Sequence, residues 1–294
     1  MNPKLKVDMV YIILHYNSIE DTRNCIESIR GLKTYDSTNI CKYKIVIVDN
    51  ASPNGTGKQL KDEYGDDQDI VIILNKENSG FSAGNNLGYH YVKKNMDPDF
   101  ITICNNDIVF DDREYVVKVF EEYEKKSFYV LGPDIYNPCL EIHQSPLGES
   151  SPTIAAAKRT VFLNTIAEYT FPVFWPIFGK REVEKAKNRT DSVVDYDRPR
   201  EDVPLMGACL VFSKDFMAVR EDAFAPETFL YYEEFMLYNF CIRNAYAMTY
   251  VPSIHVLHYE GRATATASSD ERDRYRRLVK NIRRAAKVYI QDML

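Results

Sequence analysis

The residues best suited to chemistry stand at the ends of apolar runs. Ile101-Thr-Ile-Cys-Asn-Asn-Asp-Ile-Val-Phe110 favours a strand until Asn105, Asn106 and Asp107 interrupt it. A carboxylate at the mouth of a buried strand suits a divalent cation, which wants oxygen ligands; the alternative is an Asn-rich turn. Asp49 follows Tyr43-Lys-Ile-Val-Ile-Val48. There it either accepts hydrogen bonds from an imide N–H or a hydroxyl pair, or closes an Asx turn ahead of Ser52 and Pro53. Glu233 and Glu234 begin a helical pattern carrying Leu237, Phe240 and Cys241, and paired acids there are often simply dipole-compensating surface charge. His258, in Val256-Leu-His-Tyr-Glu-Gly261, is a candidate ligand of the same cation or a satisfied structural residue. There is no G-x-S-x-G elbow for Ser-His-Asp catalysis.

The elements that must position these groups read as alternating strands and helices. Met9–Leu14 and Tyr43–Val48 are short apolar runs that stop at the polar clusters His15-Tyr-Asn-Ser and Asp49-Asn-Ala-Ser. Together with the run from Ile101 they describe one ligand-binding edge at the carboxyl ends of strands. A helix over Ile19–Leu32, capped by Ser18 and ending near Gly31, a second over Lys58–Tyr64, and strands at Ile70–Leu74 and Phe100–Cys104 continue the alternation. This predicts an α/β, doubly wound, mostly parallel sheet. Between the last two strands, Gly80, Gly84 and Gly88 either let the backbone approach a phosphate or permit close helix packing.

Beyond Phe110 the pattern predicts a helix near Asp112–Lys126, a strand at Tyr129–Gly132, a strand at Leu205–Phe212 and a helix at Phe229–Arg243. From about Pro138 to Pro204 no period emerges; Phe171–Phe178 reads as acceptor-site lid, membrane dip or core, and Lys180–Arg200 as a charged, linker-like run. From Tyr275, the residues Leu278, Val279, Ile282, Ala286, Tyr289, Ile290 and Met293 form a helical stripe with basic residues elsewhere. Such a helix lies on an anionic membrane surface, or docks on the core or a second subunit.

With 294 residues, 45% of them hydrophobic, the chain has material for one large domain or a domain with an appendage. Its net charge of -6 argues against nucleic acid as a partner. The six cysteines lack CxxC spacing, which indicates a reducing compartment and no zinc cluster. The N-terminus lacks the pattern of a signal peptide, and no run is long and apolar enough to span a bilayer, so the expected location is cytoplasmic.

Taken together, Tyr11–Asn17, Ile47–Ser52, Asn78–Gly88 and Cys104–Asp107 resemble the family 2 inverting glycosyltransferases of the GT-A fold. Pro204–Phe212, Leu230–Phe235 and Val256–Gly261 look like acceptor-side motifs of the rhamnosyltransferase-like members that build bacterial surface polysaccharides. The resemblance implies a GT-A domain over 1–261, a doubly wound sheet with a smaller acceptor-side region, divided into a nucleotide-sugar half at 1–110 and an acceptor half at 111–261, followed by a basic amphipathic helix within 262–294. It implies transfer of a sugar from a nucleoside diphosphate, dTDP-rhamnose or a UDP-sugar, to a saccharide or lipid-linked saccharide. In this reading Asp107, the last acid of the family's DxD motif, holds Mg²⁺ or Mn²⁺ with His258, and Asn105 stands where the first acid stands. Asn17, Asp49, Asn78, Gly80, Asn85, Asn105 and Asn106 face the donor. Glu234 occupies the general-base position beside Glu233. The alternatives are a sugar-nucleotide nucleotidyltransferase, which usually carries a glycine-rich basic loop where this chain has Leu14–Ser18, and a noncatalytic relative that binds a glycan or a partner protein. Peripheral membrane contact and a homodimer are further expectations, and the whole scheme requires Asp49, Asp107 and Glu234 to gather at one cleft.

Overall fold

The computed structural model describes residues 4–32, 42–175, 177, 195–259 and 271–294. Pro176, Phe178, residues 180–194 of the charged run, Glu260, Gly261 and residues 262–270 of the C-terminal segment lie outside them.

Four parallel strands, β1 (Leu5–His15), β2 (Tyr43–Asp49), β3 (Ile70–Leu74) and β4 (Met96–Asn105), lie in the order β3-β2-β1-β4. Their apolar runs are continuous because both sheet faces are covered. Along β1, Met9, Tyr11 and Ile13 enter the core that includes Cys25, Ile26 and Ile29 of α1 (Ile19–Arg30) and Leu60 of α2 (Thr56–Tyr64). Val10 and Ile12 point the other way, into the core shared with Tyr89 and Val92 of α3 (Gly80–Asn95). The period-two alternation of a strand thus feeds two cores at once.

The second half adds β5 (Ile108–Val109), α4 (Tyr115–Lys125), β6 (Val130–Asn137), β7 (Ile142–His143), α5 (Ile154–Tyr169), α6 (Phe171–Phe174), β8 (Arg200–Glu201), β9 (Cys209–Ser213), α7 (Lys214–Val219), α8 (Glu233–Arg243), β10 (Met248–His258) and α9 (Glu271–Asp292). Among the described residues the sheet continues β4-β9-β6-β10-β5. Strand β9 runs antiparallel to both β4 and β6, whereas β10 is parallel to β6. The first half of the sheet is therefore parallel and the second mixed. Helix α9 packs on α5 and is tied to α8, where Asn239 Nδ2 donates to Tyr289 Oη at 3.3 Å and Arg243 pairs with Asp292.

At two elements the structure decides what the sequence left open. The segment around Gly84 and Gly88 is helix, and both glycines serve close packing: a Cβ on Gly88 would sit 2.6 Å from Ile12 Cγ2, and one on Gly84 2.8 Å from Leu14 Cδ1. Of the glycines at 80, 84 and 88, only Gly80, at φ +84, holds a backbone conformation that favours glycine. Helix α5 lies inside the stretch read as patternless. Its buried side carries Ala157 and Ala167 while its outward side carries Phe162, Leu163 and Ile166, so apolar residues fall all round and leave no amphipathic period to read.

Candidate functional site at the strand ends

Sheet register brings His15, Asp49 and Asn105 to one edge. His15 at the end of β1 is level with Asp49 of β2, and Leu14 is level with Asn105 of β4. Buried His15 places Nδ1 2.6 Å from Thr22 Oγ1 and Nε2 2.9 Å from Thr56 Oγ1, which ties the starts of α1 and α2 to the strand. Burial depresses its pKa to about 4, against a smaller opposing effect of the Asp49 charge.

Asp49 accepts from Ser52 through both the backbone N–H (3.2 Å) and Oγ (2.6 Å), so the Asx turn forms. Its neighbour Asn50 organises the next loop. Asn50 Nδ2 donates to Asn78 Oδ1 and the Gly80 carbonyl, while Asn50 Oδ1 accepts from Asn75 Nδ2 and the Ser79 N–H. Asn78 Oδ1 also accepts from the Gly80 N–H, so its amide serves the loop. Asn17, at φ +65, donates its N–H to Ser52 Oγ, and its Oδ1 is buried without a hydrogen-bond partner among the described residues. Asn85 is fully buried, and neither its Nδ2 nor its Oδ1 is hydrogen bonded there. Asn106 Nδ2 donates to the Ser18 carbonyl and Thr22 Oγ1, which fastens the end of β4 to α1.

Asp107 Oδ1 is a buried acceptor without a hydrogen-bond donor among the described residues. It lies 3.3 Å from His258 Nε2. The other ring nitrogen, Nδ1, is 2.7 Å from Gln144 Oε1, an atom that only accepts; Nδ1 therefore carries the proton and Nε2 presents its lone pair in the neutral ring. Asn105 Nδ2 is 3.4 Å from the same Nε2. Two electron-rich atoms facing each other at this distance could hold one side of a cation. Among the described residues no cluster of three or more His, Cys, Asp or Glu side chains surrounds it. Protein ligation by two groups is what a hard cation needs when diphosphate oxygens and water complete its shell.

Glu233 and Glu234 open α8 after Tyr231 and Tyr232, both at positive φ. Glu234 is partly exposed, and its carboxylate accepts from its own N–H and that of Gly207. Glu233 is 3% exposed, and its Oε2 has no hydrogen-bond partner among the described residues. Burial raises the pKa of both, and the Glu234 charge raises that of Glu233 further. Each carboxylate accepts from two backbone N–H groups, Glu233 from its own and that of Tyr231; what distinguishes Glu233 is the Glu234 charge, which adds to desolvation in opposing its ionisation.

These groups are linked in a closed circuit. Phe81 N–H donates to the Phe229 carbonyl, joining the Asn50 loop to the lead-in of α8. Glu234 meets Gly207, and the carbonyl of neighbouring Ala208 accepts from Asn105 N–H. Asn105 touches His258, which faces Asp107; Asn106 returns to Thr22, and Thr22 to His15 beside Asp49. A separate cavity of about 360 Å³ takes in Asp107 with Asp21, Asn24, Glu27, Val109 and Tyr259, and includes neither Asp49 nor Glu234. Sequence reasoning missed Gln144, which lies in the patternless stretch and carries no signal. It also missed Asn50, which was legible as part of the polar cluster ending β2.

The model of the family described as Glycosyl transferase family 2 matches residues 11–185. The low-salt glycan biosynthesis hexosyltransferase Agl10 of Haloferax volcanii is 26% identical over 145 residues, 49% of this chain and 42% of that protein. Among solved structures, S. aureus TarS 1-349 in complex with UDP-GlcNAc is similar with a TM-score of 0.50 at 14% identity, covering 92% of this chain and 65% of that one. The mannosyltransferase PcManGT from Pyrobaculum calidifontis, in complex with GDP-Man and Mn²⁺, gives 0.54 at 11% identity, covering 97% and 70%. At these identities the structural likeness speaks for the fold, a GT-A arrangement of a mixed α/β sheet.

Proposed function

Because the chain belongs to glycosyl transferase family 2, we propose that it is an inverting transferase that moves a sugar from a nucleoside diphosphate to a saccharide hydroxyl. The observation that carries this reading is the circuit joining the Glu233–Glu234 pair to the Asp107–His258 pair through Gly207, Ala208 and Asn105. A proton acceptor and a cation pair on one strand-end edge are the two functions an inverting displacement requires.

Glu234 takes the acceptor hydroxyl proton as that oxygen attacks the anomeric carbon from the face opposite the leaving diphosphate. Burial and the Glu234 charge both oppose ionisation of Glu233 behind it, which favours a single negative charge on the pair. Asp107 and His258 would hold the divalent cation, Mg²⁺ or Mn²⁺, which when bound would neutralise the charge that grows on the diphosphate. Asn105 in place of an acid leaves this site one charge poorer, and its amide is available to the ribose or the diphosphate. Asn17 Oδ1 and the Asn85 amide, which lack partners among the described residues, supply polar contacts for the donor, while the Gly80 backbone, bonded to Asn50 and Asn78, shapes the loop and Asp49 orders the turn. The nucleotide-sugar complexes of TarS and PcManGT support the donor class. dTDP-rhamnose or a UDP-sugar is the favoured donor, and a saccharide or lipid-linked saccharide of a surface polysaccharide, met at the cytoplasmic face, the favoured acceptor.

The test is a panel of dTDP-, UDP- and GDP-sugars incubated with the protein, with Mn²⁺ or with chelator, reading release of nucleoside diphosphate. Metal-dependent release from one donor, suppressed in Glu234→Gln when acceptor is present, is the expected result. Absence of release and of metal-linked nucleotide binding for every donor would identify a noncatalytic relative.

A further inference from the structure

The outward faces of α5, α6 and α9 combine two features that a water-facing surface seldom combines. Phe162, Leu163, Ile166, Tyr169, Val173 and Ile177 are between 45% and 76% exposed. Positions 162, 166 and 169 follow helical spacing along α5 and form an apolar ridge opposite the side on which Ala157 and Ala167 are buried, and exposed Val173 of α6 follows it beyond the Thr170 turn. Lys158 and Arg159 are exposed at its start.

Helix α9 packs against α5 and carries eight Lys or Arg residues against three acids, in a chain whose net charge is -6. Arg277, Lys280, Arg284 and Lys287 are exposed along it, and none forms an ion pair among the described residues. The two helices run antiparallel: Arg283 pairs with Glu168 at 2.6 Å, and Trp175 meets Tyr275 with ring centroids 5.7 Å apart. Arg272 and Arg276 lie over the Phe171 ring at 5.8 and 5.6 Å, which brings cations to the α6 end of the ridge.

We propose that this face docks on an anionic lipid bilayer, with the ridge entering the headgroup–acyl boundary and the α9 cations meeting the headgroups. An apolar ridge flanked by cations is the composition of an in-plane membrane element. A second copy of the chain fits less well, because a two-fold contact over the ridge would bring two basic stripes together without counter-charge. Among the described residues no helix is long and apolar enough to cross a membrane, so the attachment is peripheral. The proposal stands apart from sugar transfer, since docking is read with neither donor nor acceptor present.

The test is flotation of the full chain with phosphatidylcholine vesicles, with and without about one-third phosphatidylglycerol, at low and high salt. Capture is expected only with the anionic vesicles and should fall with salt. Arg277→Gln/Lys280→Gln/Arg284→Gln/Lys287→Gln should weaken it by about tenfold or more, and Phe162→Ser/Ile166→Ser should weaken it while leaving the circular dichroism spectrum unchanged. The wild-type chain gives a second readout: its single tryptophan, Trp175, sits at the α6 end of the ridge, and its emission should shift to the blue on adding anionic vesicles. Absence of capture by anionic vesicles, or capture indifferent to both variants, overturns the proposal. So does a dimer in light scattering that Phe162→Ser/Ile166→Ser dissolves, because it makes a second copy the occupant.

Discussion

His258 presents Nε2 to Asp107 Oδ1 at 3.3 Å because Gln144 Oε1 holds the opposite ring nitrogen at 2.7 Å. Removing Asp107 or His258 should abolish the Mn²⁺ dependence of nucleotide binding measured by calorimetry. Gln144→Ala should weaken metal affinity by roughly 10–100-fold through the lost ring orientation alone, without touching the cation. Gln144→Glu, which keeps an acceptor at that place, should restore most of it. Equal metal affinity in Gln144→Ala and the wild type would remove Gln144 from this role.

The Glu233–Glu234 pair makes a directional statement about pH. A base must be deprotonated, and burial raises the Glu234 pKa above the ordinary glutamate range. Transfer should therefore fall as pH drops through a value higher than that of a free glutamate. Glu234→Gln should cut turnover by roughly 10²–10⁴-fold while donor affinity changes little. Glu233→Gln removes the neighbouring titration and should alter the acid limb of the kcat/KM profile; an unaltered limb would mean that the two carboxyls do not interact.

Legibility followed the physics of each element. The strand read at Ile70–Leu74 coincides with β3, because an apolar run bounded by polar residues admits few other structures. Asp49 and Asp107 stood out for the same reason, as charges ending apolar runs. Helix α5 did not, since the outward ridge that suits it for a bilayer also erases the polar face by which a surface helix is recognised. Gln144 was hidden for another reason: its effect depends on His258, 114 residues away, meeting it in space. The glycines at 84 and 88 admitted two readings, and only the distances to Ile12, Val48 and Leu14 decide for packing.

Those distances give a stability prediction. A methyl group on Gly88 would meet Ile12 Cγ2 at 2.6 Å and Val48 Cγ2 at 3.1 Å, both on the rigid sheet. Overpacking of this kind costs about 1–3 kcal/mol, and the better helix propensity of alanine offsets about 1 kcal/mol of it. Gly88→Ala should lower the urea midpoint with an unchanged slope. A variant as stable as the wild type would show that α3 can lift from the sheet freely.

His15 sets an acid limit on the fold. Its pKa is about 4 in the native state, below the ordinary value of 6.5, because burial disfavours the charged ring. The unfolded chain therefore binds the extra proton between these values, and stability is lost as pH falls from 6.5 towards 4. The loss from this residue should approach about 3 kcal/mol at the lower end, because the folded chain keeps the neutral, buried ring that bonds Thr22 and Thr56 while the unfolded chain takes up the proton. Urea unfolding at pH 7.5 and at pH 5 should show the difference, and His15→Gln should flatten it even though the variant starts from lower stability. A pH dependence identical in His15→Gln and the wild type would assign the acid sensitivity elsewhere.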